Sequence, residues 1–265
     1  MSKPTFIDIE DASWMWGILI TDKDRVSTTG ICNFPSHMGS LNYGYASVGG
    51  WRRISPKLYN QIPESDVRKG WFLDDTGVSV NLPAAAQAYI TKKGAPVYTQ
   101  VKYGPMNDEW GSNNNATDVI LMRVEEMYLI KAEAQAMNND VSGGVNTLNS
   151  FVNTYRDPSY KCTATTGEAV QEAVWHQRRI EFWGEGLAYF DIMRLNKGVN
   201  RLGCGFPKLR YLTLLQVIRS KFTVSPTKRY NTIHCWKIIR WYLLQLRYLM
   251  KNKLIIKRIE YEIYQ

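Results

Sequence analysis

Twenty-one residues from Asp118 to Asn138 (DVILMRVEEMYLIKAEAQAMN) contain neither glycine nor proline. They are strong helix formers, so the run reads as one helix. Ile120, Val124 and Met127 fall on one face, and Leu121, Tyr128 and Ala132 on another. A helix apolar on more than one face must pack between other helices rather than lie on a surface. Ala132, Ala134 and Ala136 are small enough to let a neighbour approach closely. The chain is therefore expected to build its core by packing helix on helix.

The residues that follow supply the neighbours. A loop at Asn139 to Gly144 leads to a second helix, Val145 to Tyr155, with Val145, Leu148, Phe151 and Val152 in one stripe. Together they make a helical hairpin of tetratricopeptide size. A third helix opens with Thr165 as N-cap and Glu168 three residues on, the pattern of a capping box. Gly184 and Gly186 interrupt it, and Leu187 to Leu195 forms a fourth, short helix. Arg178 and Glu181 are three apart, as are Asp191 and Arg194, so each pair can meet on one helix face. Residues 118–200 thus form a helical block.

Residues 31–115 differ in kind. They are rich in Gly, Pro, Asn, Ser and aromatics, with no sustained helical period, and turn signals recur at Phe34-Pro35, Gly49-Gly50, Ser55-Pro56 and Gly104-Pro105. So long an irregular stretch in a compact domain usually carries function. Trp51, Trp71, Trp110, Tyr43, Tyr45 and Tyr103 are candidates for stacking on the apolar faces of sugar rings. The competing reading is that these rings form the core of a loop-rich layer, where aromatics carry most of the burial energy. Residues 1–30 read as loop and short strand, with Trp14 to Thr21 the one strongly apolar run.

Sequence signatures of catalysis are missing. There is no GxGxxG and no Walker A motif. His37, His176 and His234 stand singly, without HExxH or triad context, so no metal and no catalytic residue is assigned. Cys32, Cys162, Cys204 and Cys235 form no CxxC pair. Glu181 and Glu185 might suggest a glycosidase acid/base pair, but an Arg–Glu structural network explains them better. Asn115-Ala116-Thr117 matches a glycosylation sequon, a frequent chance match. Nothing in these residues argues for an enzyme, and no cofactor is expected.

Net charge needs locating before it is interpreted. Of the formal +9, residues 208–265 carry 13 Lys+Arg against Glu260 and Glu262, a net of +11. The preceding 207 residues hold 20 basic and 22 acidic side chains, a net of −2. A basic appendage that binds polyanions is one explanation. A segment translated out of frame is the other.

Four blocks of sequence decide between them. Gln177 to Arg201 (QRRIEFWGEGLAYFDIMRLNKGVNR) closely resembles the SusD/RagB family of outer-membrane nutrient-binding lipoproteins. Arg123 to Ala134, Leu148 to Pro158 and Leu58 to Phe72 are similar to further segments of that family, in the family's order. The resemblance covers about residues 1–207. It implies a mainly α fold, with tetratricopeptide-like helix pairs supporting an irregular, ligand-facing layer at 31–115. It implies an oligosaccharide or, in RagB-type branches, a peptide as ligand, and a SusC-like TonB-dependent transporter as partner, with no nucleic acid. Arg178, Arg179, Glu181, Asp191 and Arg194 carry over as structural residues, and ligand residues do not transfer.

The departures are expectations too. The chain shows no lipoprotein signal or lipidated cysteine and starts partway into the family pattern. A full-length member would sit on the outer membrane at the cell surface, whereas this chain as written would stay cytoplasmic. Past about residue 207 the family pattern stops. Back-translated and read in a frame shifted by two nucleotides, Thr223 to Trp241 regains the I-P…E-I…N-P pattern of the family's C-terminus. Residues 208–265 therefore read as out-of-frame. The alternative to a glycan receptor is a tetratricopeptide-like adaptor that binds a protein partner.

Overall fold

The computed structural model describes residues 9–24, 33–199 and 204, and it is mainly helical. The basic segment 208–265 lies outside the described residues, as does His234. The long apolar run divides into two elements where one helix was expected. Val119–Arg123 forms strand β2, and helix α4 begins only at Val124 and runs to Met137. An apolar run satisfies a strand pattern as well as a helical one, and β-branched Val119 and Ile120 favour the strand. What tips the balance is a distant partner. The apolar run near the N-terminus supplies β1, Trp14–Ile18, which pairs antiparallel with β2, Trp14 opposite Arg123 and Ile18 opposite Val119. Asp118 fastens this junction, accepting from the Ile9 and Ile20 amides at 2.8 and 2.7 Å.

Helix α5, Val141–Tyr155, starts four residues before the periodic stripe. Asp140 caps it, its carboxylate accepting the Gly143 amide at 2.9 Å. Glycine inside a helix costs about 1 kcal/mol relative to alanine, so Gly144 needs a reason. A Cβ there would stand 2.7 Å from the Ala132 carbonyl and 2.9 Å from the Ala136 Cβ. The small residues of α4 and the glycine of α5 together set how closely the helices approach. Helix α6, Gly167–Glu181, is capped by Thr166, whose hydroxyl accepts the Ala169 amide at 3.2 Å. The cap is one residue later than expected, so Glu168 is in the first turn but not at the capping-box position. Gly184 and Gly186, both at positive φ, turn the chain into α7, Leu187–Arg194.

Helices α4, α5 and α6 share one core: Leu129, Ala132 and Ala136 meet Leu148, Phe151, Val152, Val170, Val174 and Phe182. α4 packs against both other helices, as its sequence predicted. Its burial nevertheless follows a stripe through Glu125, Leu129, Ala132 and Ala136, leaving Val124, Ile130 and Met137 exposed.

The region 33–115 is largely irregular but not free of helix. It contains α1 (Phe34–Met38), α2 (Pro56–Tyr59) and α3 (Ala84–Lys92), with single 3-10 turns at Val67–Trp71 and Met106–Asp108. α3 was not anticipated, although Ala86 and Ile90, four apart, form its buried stripe. Ile54, Leu58, Tyr59, Ile62, Trp71, Phe72 and Tyr103 build a second core that also receives Trp14 of β1, Ile120 of β2 and Ile180 of α6. A third gathers Leu41, Leu73, Ala86, Ile90 and Val101. The layer is joined to the helices by more than this apolar contact.

Candidate functional site

The join is a buried cluster of charge. Glu181, the last residue of α6, is completely buried. One carboxylate oxygen accepts from Arg123 Nη1 at 2.6 Å and Arg156 Nη2 at 2.9 Å. The other accepts from Arg156 Nε at 2.8 Å and Arg68 Nη1 at 3.1 Å. Glu185 holds Arg123 through two hydrogen bonds of 3.0 and 2.8 Å and Lys102 at 2.5 Å. Arg68 also binds Asp66 at 2.6 Å, and Arg156 binds Glu125 at 2.9 Å. Four elements meet here: the loop layer through Arg68 and Lys102, the β2–α4 junction through Arg123, the end of α5 through Arg156, and the end of α6 through Glu181.

The electrostatics suit an anchor rather than an acid/base pair. Burial by itself would raise the Glu181 carboxyl, but Arg156, Arg123 and Arg68 outweigh it and hold the group well below the ordinary value. Burial likewise raises Glu185, and Arg123 and Lys102 bring it below the usual range. Burial pushes the Lys102 ammonium down to about 8, against the pull of Glu185. Both glutamates are ionised, saturated with donors and closed to solvent. The network reading of Glu181 and Glu185 holds, and the expected partners change. Arg178 does not meet Glu181. It reaches Asp191 at 2.8 Å and Glu126 at 3.0 Å instead. Arg194 does bind Asp191 three residues away, at 2.8 Å, and also Glu133. Arg179 lies with its guanidinium 5.0 Å from the Trp175 ring centre.

Of the candidate aromatic residues, the structure sends some inward and some outward. Trp71 is 3% exposed and sits beneath Lys102, 4.7 Å from its ring centre, and Arg156, at 5.9 Å. It belongs to the charge cluster and offers no face to a ligand. Tyr103 is core as well. Trp51 and Trp110 lean half-buried on the third apolar cluster. Tyr43 and Tyr45 are 50% and 45% exposed, the most open of the set.

Local sequence explains that outward turn. From Ser40 to Ser47 the two tyrosines alternate with small residues, and Ser40, Leu41, Asn42, Gly44, Ala46 and Ser47 are all buried. Gly44 is required: a Cβ would lie 2.6 Å from Ser36 Oγ and 2.9 Å from Ser36 Cα. Backbone hydrogen bonds hold the segment from both sides, Tyr43 N–H to the Ser112 carbonyl at 2.8 Å and Ala46 N–H to the Ser36 carbonyl at 2.9 Å. The Tyr89 hydroxyl donates to the Asn42 carbonyl at 3.2 Å. Around the rings sit His37, stacked on Tyr45 at 4.8 Å, Arg52 over Tyr45 at 5.6 Å, and Lys93 over Tyr43 at 5.8 Å. Composition flagged these tyrosines, but nothing in it singled out Arg52 or Lys93.

Two concavities lie elsewhere, and neither is lined by Tyr43 or Tyr45. A pocket bounded by Phe34, Met38, Asn42, Tyr103 and Ile120 has a volume of about 10 Å³, room for one water and not for a sugar ring. A shallow groove of about 470 Å³ runs beside Tyr160, Cys162, Ala164, Ala169 and Ala173, lined by small side chains with one ring at its edge. Asn115 of the sequon is buried and accepts from the Asn42 amide at 3.2 Å, which closes it to modification. Among the described residues no group of three His, Cys, Asp or Glu is placed to hold a metal. No helix there is long and apolar enough to cross a membrane.

Comparison with known proteins gives the family. A model of the SusD family matches residues 56–234. The match extends past Pro207, where the composition changes, so its end does not coincide with the boundary read from charge. No curated protein matches the chain. Among solved structures, a SusD-like carbohydrate binding protein from Bacteroides vulgatus ATCC 8482 is 27% identical, with a TM-score of 0.54 over 73% of this chain and 37% of that one. A SusD superfamily protein from Bacteroides thetaiotaomicron VPI-5482 is 20% identical, with a TM-score of 0.56 over 77% of this chain and 42% of that one. The second likeness concerns the fold alone. The chain spans less than half the length of either protein.

Proposed function

The chain belongs to the SusD family, and from that membership we propose that it binds oligosaccharide on the open surface around Tyr43 and Tyr45. The observation that carries the reading is the pair of half-exposed tyrosines on a segment whose every other contact is buried. A ring presented this way offers a large apolar face with a polar edge and only two rotatable bonds to order on binding. Trp51 and Trp110, packed on the same apolar cluster as Leu41, are further platforms. The 27% identical relative is by description a carbohydrate binding protein, which favours a glycan over a peptide.

In this reading the protein is a receptor and not an enzyme. Glu181 and Glu185 are bound by arginines and so are not free to act as a carboxylate pair on a glycosidic bond. The family places its members on the outer membrane beside a SusC-like TonB-dependent transporter, to which this protein would deliver its ligand. In this reading residues 31–115 form the ligand layer, 118–200 the helical support, and 208–265 an out-of-frame basic tail. A glycan array probed with the 265-residue chain tests the function. Binding to defined oligosaccharides, weakened by Tyr43→Ala and Tyr45→Ala, is the expected result. Binding to peptides alone, or to no ligand at all, would overturn it.

A further inference from the structure

The cations beside the two tyrosines carry a statement about what kind of oligosaccharide fits. Arg52 is half-buried, and its orientation is set by the protein. Its Nε donates to the His37 carbonyl at 3.1 Å and its Nη2 meets His37 Nδ1 at 3.2 Å. Arginine only donates, so Nδ1 is the acceptor in this contact. A guanidinium has five N–H donors, and these contacts use two. The rest of the fork, Nη1 included, has no partner among the described residues, and no carboxylate there lies within ion-pair distance of Arg52. Lys93 is in the same position. Its ammonium stands 5.8 Å from the Tyr43 ring centre and 5.7 Å from that of Tyr89, with no carboxylate partner among the described residues.

Tyr43 and Tyr45 are two residues apart, so their Cα atoms are separated by no more than about 7 Å. The two cations consequently border one short stretch of surface. A sugar laid on either ring would bring its substituents to a positive group with no carboxylate partner among the described residues. We propose that this site selects acidic oligosaccharides, those carrying a carboxylate or sulfate on the sugar. Both groups match the planar donor fork of Arg52, and Lys93 supplies a point charge on the other side. Asp108 and Glu109 lie on the turn that leads to Ser112, the residue bonded to Tyr43. They limit the preference from one flank, so Glu109→Gln should raise affinity for acidic ligands.

The proposal rests on the glycan-binding reading and can fail without it. The 265-residue chain would be titrated calorimetrically with three oligosaccharides of equal length: neutral, uronate-bearing and sulfated. The expected result is that one or both acidic ligands bind roughly tenfold tighter than the neutral one, with the gap closing as salt rises. Arg52→Gln with Lys93→Gln should remove that preference, so that acidic and neutral ligands bind alike in the variant. Equal binding of all three would overturn the acidic preference and leave the receptor reading intact. Binding of none would overturn both. A preference that survives in the double variant would place its source elsewhere, with the basic segment 208–265 the obvious site, and would also overturn the proposal.

Discussion

Cations beside aromatic rings have opposite accompaniment in two regions of the protein. In the interior, Lys102 and Arg156 lie over Trp71, and each is bound by carboxylate. At the surface, Arg52 and Lys93 lie over Tyr45 and Tyr43, and no carboxylate among the described residues answers them. A buried charge without a partner costs several kcal/mol, so the interior cluster must be complete within the protein. Water can solvate an exposed charge, and a ligand can replace that water. The same pairing of residue types is thus a structural joint in one place and an available recognition surface in the other.

If that contrast is right, variants should separate stability from binding. Glu181→Ala removes the carboxylate that three guanidinium groups share and should destabilise by about 3–5 kcal/mol, or roughly 10 °C in melting temperature. A thermal melt checks it, and a shift of a degree or two would mean the cluster is not a joint. Acid should act on the same place. The Glu181 and Glu185 carboxyls lie below their ordinary value of 4.5 in the folded protein. Their contribution is complete above that value and is lost as pH falls toward the folded values. Melts between neutral pH and about pH 3 should show the drop.

Smaller effects belong to the surface. Gly44→Ala would press its Cβ on Ser36 and should cost about 1–3 kcal/mol while misplacing both tyrosines, so melting temperature and glycan affinity fall together. Tyr43→Ala and Tyr45→Ala should each weaken oligosaccharide binding by about 1 kcal/mol, roughly fivefold, with stability unchanged within about 0.5 kcal/mol. Loss of stability without loss of binding would reverse the assignment of the two regions.

What sequence could reveal follows the range of the interactions. The helix hairpin was legible because its stripes and small residues are local. The pairing of Arg178 with Glu181 failed because neighbourhood on one helix was the wrong criterion. The partners of Glu181 are 25, 58 and 113 residues away, at Arg156, Arg123 and Arg68. All three lie inside the blocks that carry the family resemblance, but no local rule joins them. β2 was read as helix because its partner strand is over a hundred residues distant. Trp71 and Tyr43 look alike in composition. The alternation of small residues from Ser40 to Ser47 was the available sign that its tyrosines face outward.

The most direct measurement is a calorimetric titration of the chain and its Tyr43→Ala/Tyr45→Ala variant with one oligosaccharide, alongside their thermal melts. The account predicts an affinity lower by roughly thirtyfold in the variant, with the two melts superimposed. Undiminished affinity in a folded variant would contradict it.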